Sequence, residues 1–421
     1  MNFFSKNSKP DTPPVLLLDG GVISLSVARS LGSRGIPVYA LDIPQNHARY
    51  SRYAKRISFT GDHIEAWVEW LTGKGLQQFR GAVIFPISDE VVEMTARYRN
   101  QLEKDYILPE VTDELLLAML DKAETYRLAD KIGVPAPATW VVNTREDIEI
   151  IKDEVPYPCA LKPRFSHEFR GRQFMKKLFI VNNPDELLKE FTAIQKTGQR
   201  YRFRSDLIVT EIIPGEGEDL FHSYYSYMDE NGTPLFHFTK RKLRQYPNLS
   251  GNGTYHMSNW NPKVAESGLK FLQGINYFGL GAIEFKRDPR DGVFKLMECN
   301  ARLTLATELF RRCGFDITLL MYNRLTGQPL PPQGEYRQGV RLIRPLRDFL
   351  SFRDAKKRGL LTWGKWLRSV LHRQHFEAFA WNDPLPWIMM GKYYFKRVKR
   401  LKRSPKKNQK KIATDQTLPV E

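Results

Sequence analysis

The sequence predicts an α/β fold at the N-terminus, an open sheet of parallel strands, followed by a longer α+β region. Two observations carry this. Residues 13 to about 112 follow the order strand, glycine turn, helix, strand of a doubly wound domain. Residues 113 to about 330 alternate helices with apolar runs that read as antiparallel strands. A third observation sets the C-terminus apart. The chain of 421 residues carries a net +18, but from residue 331 onward 22 basic residues stand against 7 acidic ones, net +15. The first 330 residues are nearly neutral, so composition gives no reason to read them as a nucleic-acid binder.

The elements follow in order. Val15 to Leu18 is a buried-type strand ending in Asp19-Gly20-Gly21, with a helical pattern from Leu25 to Arg34 and a second strand from Pro37 to Asp42. The glycine turn could cradle a phosphate, but it lacks GxGxxG spacing, and a plain tight turn is the commoner meaning. Asp42 at its strand end resembles a ribose ligand, although acids are common there without one. Gly81 to Pro86 is the next strand, Ser88-Asp89-Glu90 caps a helix, and Tyr106 to Pro109 is a further short strand. Helices over Asp113 to Ile132 break at Gly133-Val134-Pro135. Strands at Cys159 to Pro163 and Phe179 to Asn182 flank a loop rich in arginine and lysine, and Asp185 caps a helix to Ile194. Strands follow at Leu207 to Glu211, Phe221 to Met228 and Leu235 to Arg241. Gly281 to Arg287 and Val293 to Asn300 form a hairpin across Asp288-Pro289-Arg290-Asp291-Gly292, a good turn sequence.

That hairpin is the most informative stretch. Side chains two apart in a strand share a face, so Glu298 and Asn300 point together and Cys299 points into the core. The hairpin brings Glu284 near Glu298, with Arg302 just beyond. Two carboxylates and an amide carbonyl are hard oxygen ligands of the kind that suit magnesium, above all magnesium carrying nucleotide phosphates. A solvated polar sheet face would look the same in isolation. The companions shift the balance. Lys122 opens a helix in Asp121-Lys122-Ala123-Glu124-Thr125, Lys162 sits mid-strand, and Val209-Thr210-Glu211-Ile212-Ile213-Pro214-Gly215 is an apolar strand ending in an acid and a turn, with Glu218 and Asp219 close behind.

In this order the set resembles the ATP-grasp superfamily over residues 13 to about 330. The resemblance implies a pre-ATP-grasp α/β domain over 13–112 and a two-lobed ATP-grasp domain over 113–330, the small lobe about 136–213, with 331–421 as a basic extension. It implies that Lys122 and Lys162 touch nucleotide phosphates, and that Glu211 with the Ile212-Ile213 backbone reads the adenine edge. Glu218 or Asp219 would hold the ribose. Glu284, Glu298 and Asn300 would ligate magnesium, or manganese in its place, and Arg302 would lie beside the transferred phosphate. Thr239 to Pro247 looks like a segment of the carboxylate–amine ligase branch, and Gly251-Asn252-Gly253-Thr254 like the small-residue loop after it. One departure stands out. The loop over the phosphates, usually rich in glycine and serine, is Arg164-Phe165-Ser166-His167-Glu168-Phe169-Arg170-Gly171-Arg172, with one glycine.

The chemistry fits these residues on its own terms. A carboxylate is a poor acyl donor until ATP converts it to an acyl phosphate, which an amine then attacks. Phosphoryl transfer needs mainly positioning and charge neutralisation, which Lys122, Lys162 and Arg302 supply. Arg241, Lys242 and Arg244 would bind the γ-phosphate or the substrate carboxylate. The expected activity is ATP- and magnesium-dependent joining of a small-molecule carboxylate to an amine. Two alternatives remain open: an ATP-grasp enzyme using another nucleophile, and a non-catalytic nucleotide-binding protein recruited to membranes.

Other signals are weak. Eight histidines show no ligand spacing, and no serine sits in a GxSxG elbow. Three widely spaced cysteines point to a reducing cytoplasm rather than a disulfide framework. The polar, proline-rich start gives no expectation of a secretory or transit segment, and no window approaches the ~20 apolar residues of a helical span. Lys392 to Lys411 holds 11 basic residues and no acid. Trp387, Met390, Tyr394, Val398 and Leu401 fall on one helical stripe beside that charge, which suits an anionic membrane surface through 387–411, and equally a helix packed on the body. Base-reading motifs are absent, so nucleic acid is disfavoured as a partner. The sequence leaves a homo-oligomer open.

Overall fold

The structure is a computed structural model that describes residues 12–61, 63–165, 167, 178–201, 206–248, 251–332 and 334–393. Much of the basic phosphate loop and the tail from residue 394 lie outside the described residues.

Three sheets organise the molecule. The first is parallel, with strand order Lys55–Ile57, Val38–Leu41, Val15–Leu17, Val83–Ile84. Val15, Leu16, Leu17 and Leu18 are almost fully buried, as parallel strands covered on both faces should be. The glycine turn needs its glycines: Gly20 has φ 104°, and a Cβ there would press on the Ile87 side chain. It leads directly into the helix Gly21–Gly32, which begins four residues before the sequence pattern implied. The edge strand Lys55–Ile57 carries no apolar alternation and was not legible. The expected strand at Tyr106 to Pro109 is only a single bridge, Val83 to Ile107. Asp42 is engaged by Arg49 at 2.8 Å and Arg56 at 3.6 Å.

The second sheet is antiparallel and small: Thr139–Val142, Leu207–Glu211, Cys159–Pro163, Phe179–Val181. The helices Arg145–Ile151 and Pro184–Tyr201 pack on it through Ile148, Leu187, Phe191 and Ile194. The second helix runs seven residues past Ile194. Its first turn is capped by the Asn183 side chain, which accepts from the Glu186 N–H, rather than by Asp185.

The third sheet has seven strands: Phe294–Asn300, Gly279–Arg287, Phe221–Met228, Pro234–Tyr246, Asn252–Ser258, Arg341–Ile343, Gln374–Phe376. All neighbours are antiparallel except the last pair. Phe236 and Phe238 of this sheet join Phe310, Leu309 and the N-terminal strands in one continuous core. The C-terminal region is thus built into the fold for much of its length, contributing the last two strands of the large sheet. Phe352 of the helix Pro345–Lys357 is fully buried and stacks on Trp366. Further on, Asp383 straps the chain to the N-terminal domain. Its carboxylate accepts from Arg29 Nε at 2.9 Å and Ser51 Oγ at 2.7 Å, and Arg29 and Asp383 are both buried. Among the described residues no helix is long and apolar enough to cross a membrane.

Candidate active site

A cavity of about 770 Å³ opens where the three sheets meet. Its walls carry Lys122, Lys162, Glu211, Ile212, Ile213, Lys242, Glu284, Glu298, Asn300 and Arg302, ten of the fourteen residues singled out from the sequence.

The hairpin sets the acidic wall. Glu284 and Glu298 are direct register partners across the ladder. Cys299 between Glu298 and Asn300 is 1% exposed, so the two polar residues do share the cavity face. Each carboxylate has a lysine partner. Lys242 Nζ donates to Glu284 Oε2 at 2.7 Å, and Lys122 Nζ lies 3.6 Å from Glu298 Oε1. Burial alone would raise the Glu284 carboxyl, but Lys242, Lys240 and Arg302 hold it below its usual value. Burial would lower the Lys122 ammonium, but Glu298, Tyr126 and Asp89 carry it above its ordinary value.

Lys122 is placed by its helix start. Asp121 caps the helix Lys122–Ile132 by accepting from the N–H groups of Ala123 and Glu124, and Arg164 clamps the same carboxylate. Lys162 reaches in from the small sheet. Its Nζ donates to the Tyr126 hydroxyl at 3.1 Å, and that hydroxyl donates to the Met297 carbonyl at 2.7 Å. A short chain of bonds thus ties the lysine to the strand that bears Glu298. Burial, with Lys122 adding to it, pushes Lys162 down to about 7. Arg302 pairs with Asp89 in the first turn of the helix Asp89–Leu102, which Ser88 caps as expected.

Glu211 ends its strand with its carboxylate toward the hairpin turn. It pairs with Arg290 and lies 3.5 Å from Lys295, and it accepts from the Ala138 N–H at 3.4 Å. The neighbouring Ile213 carbonyl accepts from Lys286 Nζ at 2.6 Å, and burial pushes Lys286 down to about 8.

Four assignments change. Along Pro234–Tyr246 the side chains alternate, so Lys240 and Lys242 face the cavity while Arg241 points to the other side and pairs with Asp219. Arg244 follows an irregularity in the ladder and is buried. It forms a two-pronged bond with Asp348 at 2.8 and 3.0 Å and lies over the Tyr255 ring. Those bonds engage the guanidinium outside the cavity wall. Glu218 is Arg244's second partner at 3.2 Å, and neither it nor Asp219 lines the cavity. The acid that does line it there is Glu216.

Sequence reasoning also missed Lys240, His256 and Tyr393, which all line the cavity. The period-two rule applied from Lys242 would have found Lys240. The small-residue loop has a steric cause: a Cβ on Gly253 would overlap the His256 ring, and one on Gly251 the Tyr246–Pro247 backbone. Among the described residues no cluster of three or more His, Cys, Asp and Glu forms. The candidate cation ligands remain two carboxylates and one amide.

No family model matches the chain. It is 28% identical over 229 residues to a D-aspartate ligase of Enterococcus faecium, covering 52% of this chain and 53% of that protein. It therefore spans about half the length of that ligase. Among solved structures it resembles the biotin carboxylase domain of Hydrogenobacter thermophilus 2-oxoglutarate carboxylase, a complex with MgADP and bicarbonate, at 20% identity. The TM-score is 0.62, with 79% of this chain and 74% of that one covered. It also resembles N5-carboxyaminoimidazole synthetase of Staphylococcus aureus, TM-score 0.58 and 17% identity, over 81% and 83% of the two chains. The fold is the ATP-grasp fold, its cleft formed between the small and the large sheet. These likenesses lie in the fold, shared over about four fifths of the chain.

Proposed function

We propose that the protein is an ATP- and magnesium-dependent ligase that joins a carboxylate to an amine through an acyl phosphate. The observation that carries this is the Glu284–Glu298 register pair with Asn300, facing Lys122 and Lys162 across one cavity. Hard oxygens opposed on a rigid ladder fit magnesium, and each carboxylate already balances a cation. Magnesium, held by Glu284, Glu298 and Asn300, would neutralise phosphate charge. Lys122 and Lys162 would bind phosphate oxygens, and Arg302, oriented by Asp89, would lie beside the transferred group. The Ile212-Ile213 segment would read the adenine edge. Glu216, rather than Glu218 or Asp219, would reach the ribose.

We take residues 13–112 as the N-terminal domain and 113–330 as the two-lobed body. The segment from 331 to 383 is an integral edge of the large lobe, and the basic tail starts beyond it. A cytoplasmic enzyme that touches an anionic membrane surface through 387–411 fits the tail's charge, and a homo-oligomer stays open. Trp381, Trp387 and Ile388 are exposed just before the basic run, and Tyr393 at its start lines the cavity. The activity is tested with hydroxylamine, which traps acyl phosphates as hydroxamates. Purified protein, ATP and magnesium should convert one acid from a panel that includes D-aspartate to its hydroxamate with equal ADP release. ATP binding without acid-dependent ADP release from any member would favour the non-catalytic reading.

A further inference from the structure

We propose that Lys240, held by His256, is the base that takes the proton from the incoming ammonium group. This rests on the ligase reading and adds a group that it does not use. An amine attacks an acyl phosphate only as the free base, and at neutral pH an ordinary amine is protonated. A ligase therefore needs a proton acceptor near the carbonyl, separate from the cations that hold phosphate.

Of the cavity lysines that burial lowers, Lys162 is tied to the Tyr126 hydroxyl and Lys286 to the Ile213 carbonyl, which leaves Lys240 beside a histidine. Lys240 lies on the Pro234–Tyr246 strand, two residues from Lys242 and on the same face, and it is 2% exposed. Its Nζ lies 3.2 Å from His256 Nδ1 and over the Tyr225 ring. His256 sits on the neighbouring strand, 4% exposed, and its Nε2 has no partner. Gly253 packs against that ring, which fixes its plane. Burial, then Lys240, Lys242 and Arg344, keep His256 well below its ordinary value, so it is a neutral acceptor for a lysine N–H.

The charges facing Lys240 divide in sign. Glu284 favours its ammonium form, Lys242 opposes it, and neutral His256 adds no charge. Burial dominates and brings Lys240 down to about 7. Lys242 is different, because it donates directly to Glu284. Two lysines on one strand face therefore divide the work, one bound to a carboxylate and the other beside a neutral imidazole as the proton acceptor.

The step balances. Lys240 Nζ takes a proton from R–NH3+, and the freed amine attacks the acyl carbonyl. The C–N bond forms, the C–O bond to phosphate breaks, and phosphate departs with both electrons of that bond. The second amine proton leaves with the phosphate. His256 acts through Lys240 and is a positioning residue.

Hydroxylamine provides the test, because it is largely unprotonated at pH 7 and needs no base. The acid found by hydroxamate formation is assayed with two acceptors, hydroxylamine and methylammonium, in wild-type protein and in Lys240→Arg. The arginine keeps a positive charge but cannot accept a proton. Expected is a loss of methylamide formation about 30-fold larger than any loss of hydroxamate formation. Methylamide formation in wild type should rise with pH through about 7, while hydroxamate formation should not. His256→Leu removes an acceptor that favours the ammonium form of Lys240, so that limb should move downward. Parallel loss of both products in Lys240→Arg would make Lys240 a phosphate- or carboxylate-binding cation and overturn the proposal. A second arm needs no acceptor. In protein labelled with [ε-13C]lysine, the signal missing from Lys240→Arg should titrate near 7, and titration above 9 would also overturn it. Wild-type protein that makes no hydroxamate from any acid would instead count against the ligase reading.

Discussion

Replacing Glu298 with Gln separates chemistry from folding, and the structure gives both magnitudes. Glu298 is 39% exposed, and its nearest cation, Lys122 Nζ, is 3.6 Å away. A pair this exposed and this long contributes at most about 0.5 kcal/mol to stability. Its loss also relieves repulsion from Glu284 directly across the ladder. The two effects oppose, so the melting temperature should move by no more than about 2 °C. The chemistry is affected far more. The amide keeps the shape but removes the negative charge from one of three proposed cation ligands, at a cost of about 10²- to 10³-fold in turnover. Lys122 also loses the carboxylate that raises its pKa, so the variant's ATP binding should weaken further at alkaline pH. ADP release is followed by a coupled assay, and unfolding by circular dichroism on the same preparation. Undiminished turnover would refute the metal assignment. Loss of activity together with a collapse in melting temperature would refute the claim that Glu298 is functional rather than structural.

Other perturbations address other parts of the site. Lys162, pushed down to about 7 by burial, is charged below that pH and neutral above it, whereas bound phosphates favour the charged form. ATP affinity should therefore fall as pH rises through 7, by up to about tenfold per unit, while Lys162→Ala binds more weakly at pH 6.5 with a flatter profile; a flat wild-type profile in calorimetry would contradict this. Arg244→Ala should act on folding, leaving buried Asp348 without its guanidinium partner, at about 3 kcal/mol in urea unfolding. Residual donors from Thr254 and Trp366 keep the loss from being larger, and a stable but inactive variant would restore Arg244 to the chemistry. Deleting residues 394–421 spares Tyr393 and every proposed nucleotide ligand, so ATP binding should persist while sedimentation with anionic vesicles is lost. Added salt should weaken the intact protein's binding. Vesicle binding that survives deletion would place the contact elsewhere, and preference for duplex DNA would point to phosphate backbones instead.

The sequence carried most of the acidic wall and less of the basic one. Glu284, Glu298 and Asn300 were legible because a two-residue period and a strong turn determine which side chains meet. Lys122 and Lys162 were legible as isolated cations at a helix start and inside an apolar strand. Arg241 and Arg244 do not line the cavity, for two reasons. Alternation sends Arg241 to the far face, and an irregular ladder after Lys242 breaks the period on which any assignment of Arg244 depends. Its partner Asp348 lies 104 residues away, on a helix that local pattern could not dock. The same distance effect hid the strap at Asp383, 354 residues from Arg29, and the last two strands of the large sheet, since pairings between distant segments leave no local signal. His256 was overlooked because Gly251 to Thr254 read as a small-residue loop, and no strand was expected to carry the residues after it.

The central claim is that a carboxylate oxygen passes through an acyl phosphate. It is tested most directly by following that oxygen. The acid that yields a hydroxamate is labelled with 18O in its carboxylate and incubated with ATP, magnesium and an amine, and the inorganic phosphate is analysed by mass. The account predicts one 18O transferred to phosphate for each amide bond formed. Amide formation with unlabelled phosphate would contradict it.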